Sequence, residues 1–285
     1  MSREDTRRPA GPAAPGKVLH ITSLANPVVK EIRGLALPKN RKESRLFVAE
    51  GLKLVADAVE AGWSIRQLVH SARVADEALV ARLAATARAR GGQVISVSEA
   101  VLAKIARRDN PQTVIGVFEQ KLLPAGAVRP DPDAVWIALE GIRDPGNLGT
   151  IVRTADAAGA AGVILVGETV DPFSIEAVRA TMGSIFSVPL VRASRADFAA
   201  LAARWPGLVA GTHLAGATDY RTVAYRRPVL LVMGSEQSGL TPDVAQACGA
   251  LVKIPMAGKA DSLNLAVATG VMLFEILRDR LRLHG

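Results

Sequence analysis

Asn147 and Arg153, Glu236, and Ser262 with Asn264 are the side chains best placed to do chemistry. Each follows an apolar run that gives way to glycine and polar residues. An amide and a guanidinium six residues apart, with a carboxylate and a hydroxyl from elsewhere, can orient a polar ligand that approaches the turn. They do not suit metal chemistry. Four scattered histidines and one cysteine, Cys248, give no metal-ligand spacing and no disulfide framework.

Each segment also has a purely structural reading. In DPGNLGTIVRTADAAG (144–159), Asp-Pro-Gly sets a tight turn and Leu148, Ile151, Val152 and Ala155 share one face of the following helix. Asn147 then reads as a helix cap, and Arg153 as a solvated arginine paired with Asp156. Pro145 and the two nearby glycines favour instead a ligand approaching the backbone. In LLVMGSEQSGL (230–240), Glu236 is either a carboxylate at a strand tip or a cap for a helix starting near Thr241-Pro242. In VKIPMAGKADSLNLAVATGVMLFEIL (252–277), Ser262 reads most simply as the N-cap of a long helix. Asn264 reads as a buried amide in need of partners. That helix is apolar nearly all round, which implies burial in a core or a subunit interface. There is no Walker A loop, and no glycine fingerprint followed by an acidic residue, so a dinucleotide-binding enzyme is disfavoured.

These positions need elements to hold them. Strand-like runs fall at Val135–Leu139, Gly162–Val166, Ser187–Val191, Leu208–Gly211, Val229–Met233 and Leu251–Ile254, with helical patterns between most of them. That alternation predicts α/β architecture: a buried parallel sheet with helices on both faces and ligands beyond the carboxyl ends of its strands. Before it, residues 17–118 read as a smaller α/β domain. Its predicted elements are a helix over Phe47–Val59, strands at Ile65–His70, Gln93–Val97 and Thr113–Phe118, and a helix over Leu79–Arg90. Residues 119–133 carry three prolines and read as a linker, and residues 1–16 as a disordered arm. The domains are thus expected at 17–118 and 134–285. No apolar run is long enough for a membrane span and the start lacks a signal-peptide core, so the expected location is the cytoplasm.

The three segments, in this order and spacing, resemble motifs 1, 2 and 3 of the SpoU/TrmH branch of the SPOUT methyltransferases. DPFSIEAVRATMGSIFSVPL (171–190) is similar to the stretch between motifs 1 and 2, and the match runs from 134 to about 280. FVAEGLKLVADAV resembles, more loosely, the ribosomal-protein-like RNA-binding domain preceding it in many members. The resemblance implies transfer of a methyl group from S-adenosylmethionine to a ribose 2′-hydroxyl of rRNA or tRNA, in a fold with a deep trefoil knot. It implies a homodimer packed through the knot region. By motif position Gly234, Ile254 and Leu263 would cradle the cofactor, with Met256 and the loop from Thr212 to Gly216 completing the pocket. Arg153 and Asn147 would face the RNA ribose-phosphate, with Glu236, Ser262 and Asn264 positioning them. Motif 2 often has glycine after its glutamate, where this chain has Gln237. A SPOUT base methyltransferase and a non-catalytic RNA-binding or ribosome-assembly protein are the alternatives.

A net charge of +8 and a pI near 10 suit an RNA partner. Residues 1–133 hold 21 Lys/Arg against 14 Asp/Glu, whereas 134–285 hold 14 against 13. Almost all the excess therefore lies in the first half. LPKNRKESR, with Lys39, Arg41, Lys42 and Arg45, and the group Lys104, Arg107 and Arg108 are the expected phosphate contacts, Arg41, Lys42 and Arg45 foremost.

Overall fold

A computed structural model describes residues 14–106, 110–213 and 218–282. Residues 1–13 of the expected arm, Arg107, Arg108 and residues 214–216 of the expected cofactor loop lie outside that set. The chain forms two units, one ending at Glu119 and one beginning at Gln120.

The first unit runs β1 (Val18–Ile21), α1 (Pro27–Gly34), α2 (Pro38–Ser44), β2 (Leu46–Glu50), α3 (Leu52–Glu60), β3 (Ile65–Ser71), α4 (Ala78–Ala89), β4 (Gln93–Val97), α5 (Glu99–Ala106) and β5 (Val114–Glu119). Its sheet has the order β1-β4-β3-β5-β2. The single helix expected over Phe47–Val59 is instead a strand and a helix. Gly51, at φ 123°, breaks the apolar run in a conformation that other residues avoid. Phe47 on β2 is wholly buried, with its ring 6.0 Å from Phe118 and 5.9 Å from Trp63.

The second unit runs β6 (Leu123–Pro124), β7 (Val135–Glu140), α6 (Pro145–Ala157), β8 (Gly162–Val166), α7 (Ile175–Ala180), β9 (Leu190–Ala193), α8 (Arg195–Ala202), β10 (Leu208–Thr212), β11 (Thr218–Asp219), β12 (Val229–Met233), α9 (Pro242–Gln246), β13 (Ala250–Lys253) and α10 (Leu265–Ile276). All its strand pairs are parallel, in the order β11-β13-β10-β12-β7-β8-β9-β6. The strand expected at Ser187–Val191 begins three residues later, because a 3₁₀ turn over Ser184–Phe186 and Pro189 occupy its start. The proline-rich stretch expected as a linker supplies β6, paired with β9, and the buried Val128.

Two features of this sheet position the site. β12 lies between β10 and β7, so the chain reaches the centre of the sheet late and the order of strands reverses around β7. Such switch points leave a crevice at the carboxyl ends of the strands. The second feature is Gly149 on α6, where a Cβ would fall 2.4 Å from the Cβ of Ala180 and 2.6 Å from the Ala177 carbonyl oxygen. This glycine lets α6 and α7 pack closely, which accounts for it without a ligand.

Candidate active site

α6 starts at the turn itself. Asp144 is its N-cap, accepting from the Asn147 backbone N–H at 2.6 Å, and Pro145 takes the first helical position, where its missing N–H costs nothing. Asn147 is therefore not the cap, and its side chain turns to other partners. Its Nδ2 donates to Glu236 Oε1 at 2.9 Å, and its Oδ1 accepts from Asn264 Nδ2 at 2.9 Å. Residues 89 and 117 positions away thus meet on one amide, whose orientation both bonds fix.

Asn264 reaches that bond because it caps α10. Its Oδ1 accepts from the backbone N–H groups of Ala266 (2.9 Å) and Val267 (3.3 Å), leaving the Nδ2 end for Asn147. The expected cap, Ser262, lies outside the helix and donates to Asp261 at 3.1 Å. Asn264 is also exposed, not a buried amide.

Glu236 sits on a closed loop after β12. Ser235 and Gly239 exchange backbone hydrogen bonds at 3.1 and 3.0 Å, and the Ser235 and Ser238 hydroxyls lie 2.8 Å apart. Gly234 is buried at the base of the loop, where a Cβ would fall 2.1 Å from the Gly239 carbonyl carbon and 2.3 Å from the Leu240 nitrogen. The helix after the loop is not capped by Glu236. Its N-cap is Thr241, which is held by Glu140. Glu140, only 2% exposed at the end of β7, accepts from Thr241 N–H (2.9 Å), Thr241 Oγ1 (2.7 Å) and Arg195 Nε (3.1 Å). A buried carboxylate holds its charge only with such donors. A carboxylate ending the apolar run VWIAL was the available signal for Glu140.

Two cavities meet at these residues. One, of about 410 Å3, is lined by all five residues expected to hold the cofactor: Thr212, Gly234, Ile254, Met256 and Leu263. Ser262, Asp261 and Lys253 add polar groups. Its size lies in the range of small-molecule sites, and mixed apolar walls with a few polar groups are what such ligands take. The other, of about 980 Å3, lies over the ends of β7, β8, β9 and β12 and is lined mostly by charged and polar residues. Ser235, Glu236, Gln237, Gly239 and Asn264 line both, so Glu236 and Asn264 stand at the common wall, with Asn147, bonded to each, on the side of the larger cavity.

Arg153 is the exception. It is exposed, lines neither cavity, and makes no ion pair with Asp156. It lies six residues, roughly 9 Å of helix rise, beyond Asn147. The next residue, Thr154, faces α10, where a Cβ on Gly270 would lie 3.7 Å from Thr154 Cγ2. That helix leaves Val267 54% and Phe274 49% exposed.

The basic cluster of the first unit is divided. Arg41 is 2% exposed and donates through Nη1 to the Leu35 carbonyl at 2.7 Å, so it ties α2 to the turn before it and cannot reach a phosphate. Lys42 and Arg45 are exposed, as is Lys104 on α5. Among the described residues no group of three or more His, Cys, Asp or Glu is arranged to hold a metal, and no helix is long and apolar enough to cross a membrane.

Residues 134–274 match the family model described as the SpoU rRNA Methylase family, and residues 26–116 match an MRM3-like substrate binding domain. The solved structure of an rRNA methyltransferase from Sinorhizobium meliloti with AdoMet bound is similar at 54% identity. The match covers 93% of this chain and 99% of that one, with a TM-score of 0.88. The 23S rRNA (uridine(2479)-2′-O)-methyltransferase of Streptomyces viridochromogenes is 31% identical over 82% of this chain and 83% of its own. The 23S rRNA (guanosine(2553)-2′-O)-methyltransferase of Bacillus subtilis is 29% identical over 90% and 98%.

Proposed function

The chain belongs to the SpoU rRNA methylase family, and we infer that it is an S-adenosylmethionine-dependent methyltransferase acting on a ribose 2′-hydroxyl of rRNA or tRNA. One observation carries the reading at the level of the site. Glu236 and Asn264, at the wall shared by the two cavities, are both hydrogen-bonded to Asn147, which lines the larger one.

S-adenosylmethionine, when bound, supplies a methyl group on an activated sulfonium. Ile254, Met256 and Leu263 would hold its apolar parts, with Thr212 and the backbone at Gly234 completing the cradle. The remaining work falls to the protein, because an alcohol is a poor nucleophile and must be aligned while negative charge grows on its oxygen. Asn147 keeps one N–H, and Glu236 one oxygen, outside their mutual bond. These are the groups that orient the ribose. Ser262, at the rim of the cofactor cavity, steadies the loop before α10.

We assign Arg153 to charge stabilisation and orientation, since a planar guanidinium fork suits a developing oxyanion and the adjoining phosphate. Its position supports one further step. Its helix packs on α10, whose Val267 and Phe274 stay half-exposed, and a homodimer built on those residues would carry each Arg153 toward the partner's cavities. Packing of this kind through the knot region, the knot itself and a cytoplasmic location belong to the same proposal. The first unit is proposed to bind substrate RNA through Lys42, Arg45 and Lys104, which supply affinity without reading sequence.

The test is methyl transfer by the full chain from labelled S-adenosylmethionine to rRNA and tRNA from cells lacking the gene, with calorimetry of cofactor binding. Label in ribose 2′-O-methyl nucleotides supports the reading. Label in bases, or cofactor binding without transfer to either RNA, overturns it.

A further inference from the structure

Gln237 has no assigned task. It sits at the tip of the loop closed by Ser235 and Gly239, is exposed, has no hydrogen-bond partner among the described residues, and lines both cavities. The larger cavity also presents two guanidiniums without partners among the described residues, Arg143 and Arg192, and the carboxylate of Glu168. Its third arginine, Arg195, is already engaged by the buried Glu140.

We propose that the larger cavity seats the target nucleotide, drawn out of the RNA strand, and that Gln237 reads it while Arg143 and Arg192 hold the adjoining backbone. This rests on the ribose-methylation reading and names the part of the site that takes the acceptor. Size is the first argument. At about 980 Å3 the cavity is at the upper end of small-ligand sites, roomy enough for a base with its ribose. Enzymes that act on a single base extrude it into a seat of this kind, and a nucleotide held that way presents its ribose to the wall shared with the smaller cavity.

Adjacency is the second argument. The methyl donor and the hydroxyl must approach from opposite sides of one plane, and these two cavities share one wall. Chemistry is the third. An amide offers a donor and an acceptor to a base edge, guanidiniums offer donors to phosphate, and a carboxylate among them keeps the cavity from being a mere anion trap. The loop bonds fix the backbone on either side of Gln237 before RNA arrives, so only its side chain has to be ordered on binding.

The test uses the full chain with unmodified rRNA and tRNA from cells lacking the gene. For Gln237→Ala, and separately for Arg143→Ala with Arg192→Ala, the KM for RNA is expected to rise about five- to tenfold for each hydrogen-bonding side chain removed. Affinity for S-adenosylmethionine should stay within twofold in the arginine variant, whose two residues line the larger cavity and not the smaller one, which also shows that this variant folds. Unchanged KM in both variants, or cofactor affinity of the arginine variant falling in parallel with it, overturns the proposal. Ultraviolet crosslinking of the same RNA to the wild-type chain gives a readout independent of turnover. Adducts are expected within 141–147, 192–195 or 235–239, and their absence overturns the seat even where methyl transfer is intact. Adducts there without any methyl transfer would leave the seat standing and remove the reaction reading beneath it.

Discussion

In the second unit, chemistry-bearing residues scattered over more than a hundred positions meet within hydrogen-bond distance. In the first, three basic residues within five positions of one another part company. Asn147, Glu236 and Asn264 converge because a parallel sheet delivers every strand end to the same edge. Arg41, Lys42 and Arg45 diverge because they lie on and just past a seven-residue helix, which turns one side chain inward and the next outward. Spacing along a sheet therefore says more about a site than crowding along a chain.

The largest expected effect falls on the convergent region. Gly234→Val should abolish measurable S-adenosylmethionine binding. The reason is not that a side chain fills the cofactor's space, but that its Cβ would collide with the backbone of Gly239 and Leu240 and open the loop carrying Glu236. Near-normal affinity by calorimetry would mean that the closed loop is irrelevant to the cofactor cavity.

Arg153→Ala comes next, lowering methyl transfer by at least roughly 10²-fold, the scale of losing one preorganised donor, with cofactor affinity within a few-fold. Arg153→Lys should rescue little, because an ammonium lacks the planar fork. Co-expressed hybrids of Arg153→Ala with Gly234→Val sharpen this. Supply of the arginine across a dimer predicts one working site per hybrid, whereas supply within a chain predicts none.

Smaller effects divide the first unit's cluster. Arg41→Ala should cost about 1–3 kcal/mol in denaturant unfolding, because it removes a charge-assisted hydrogen bond and the packing of a buried side chain. Lys42→Ala with Arg45→Ala should leave stability unchanged and flatten the salt dependence of RNA binding by up to about 0.7–0.9 log units for each phosphate no longer neutralised. An unchanged salt slope would move the RNA surface away from α2.

Much of the second unit was legible because buried parallel strands are near-continuous apolar runs, and the five residues expected to hold the cofactor, at or beyond strand ends, line one cavity. Caps were less so. Ser262 and Asn264 are both good N-cap residues, and only the path of the loop decides that Asn264 caps α10. Glycines misled once, since Gly149 serves helix packing and not a ligand. The apolar stretch from Phe47 hid a strand because such a run has no period that separates strand from buried helix. The burial of Arg41 had no sequence signal at all.

The most direct measurement of the central claim is nucleotide-resolution mapping of ribose methylation in rRNA and tRNA. It compares cells lacking the gene, cells complemented with the wild-type chain, and cells complemented with Asn147→Ala. The account predicts a 2′-O-methyl group that is lost on deletion, restored by the wild type, and restored poorly or not at all by the variant, in which Glu236 and Asn264 no longer share a partner. No lost ribose methylation, or full restoration by Asn147→Ala, would contradict it.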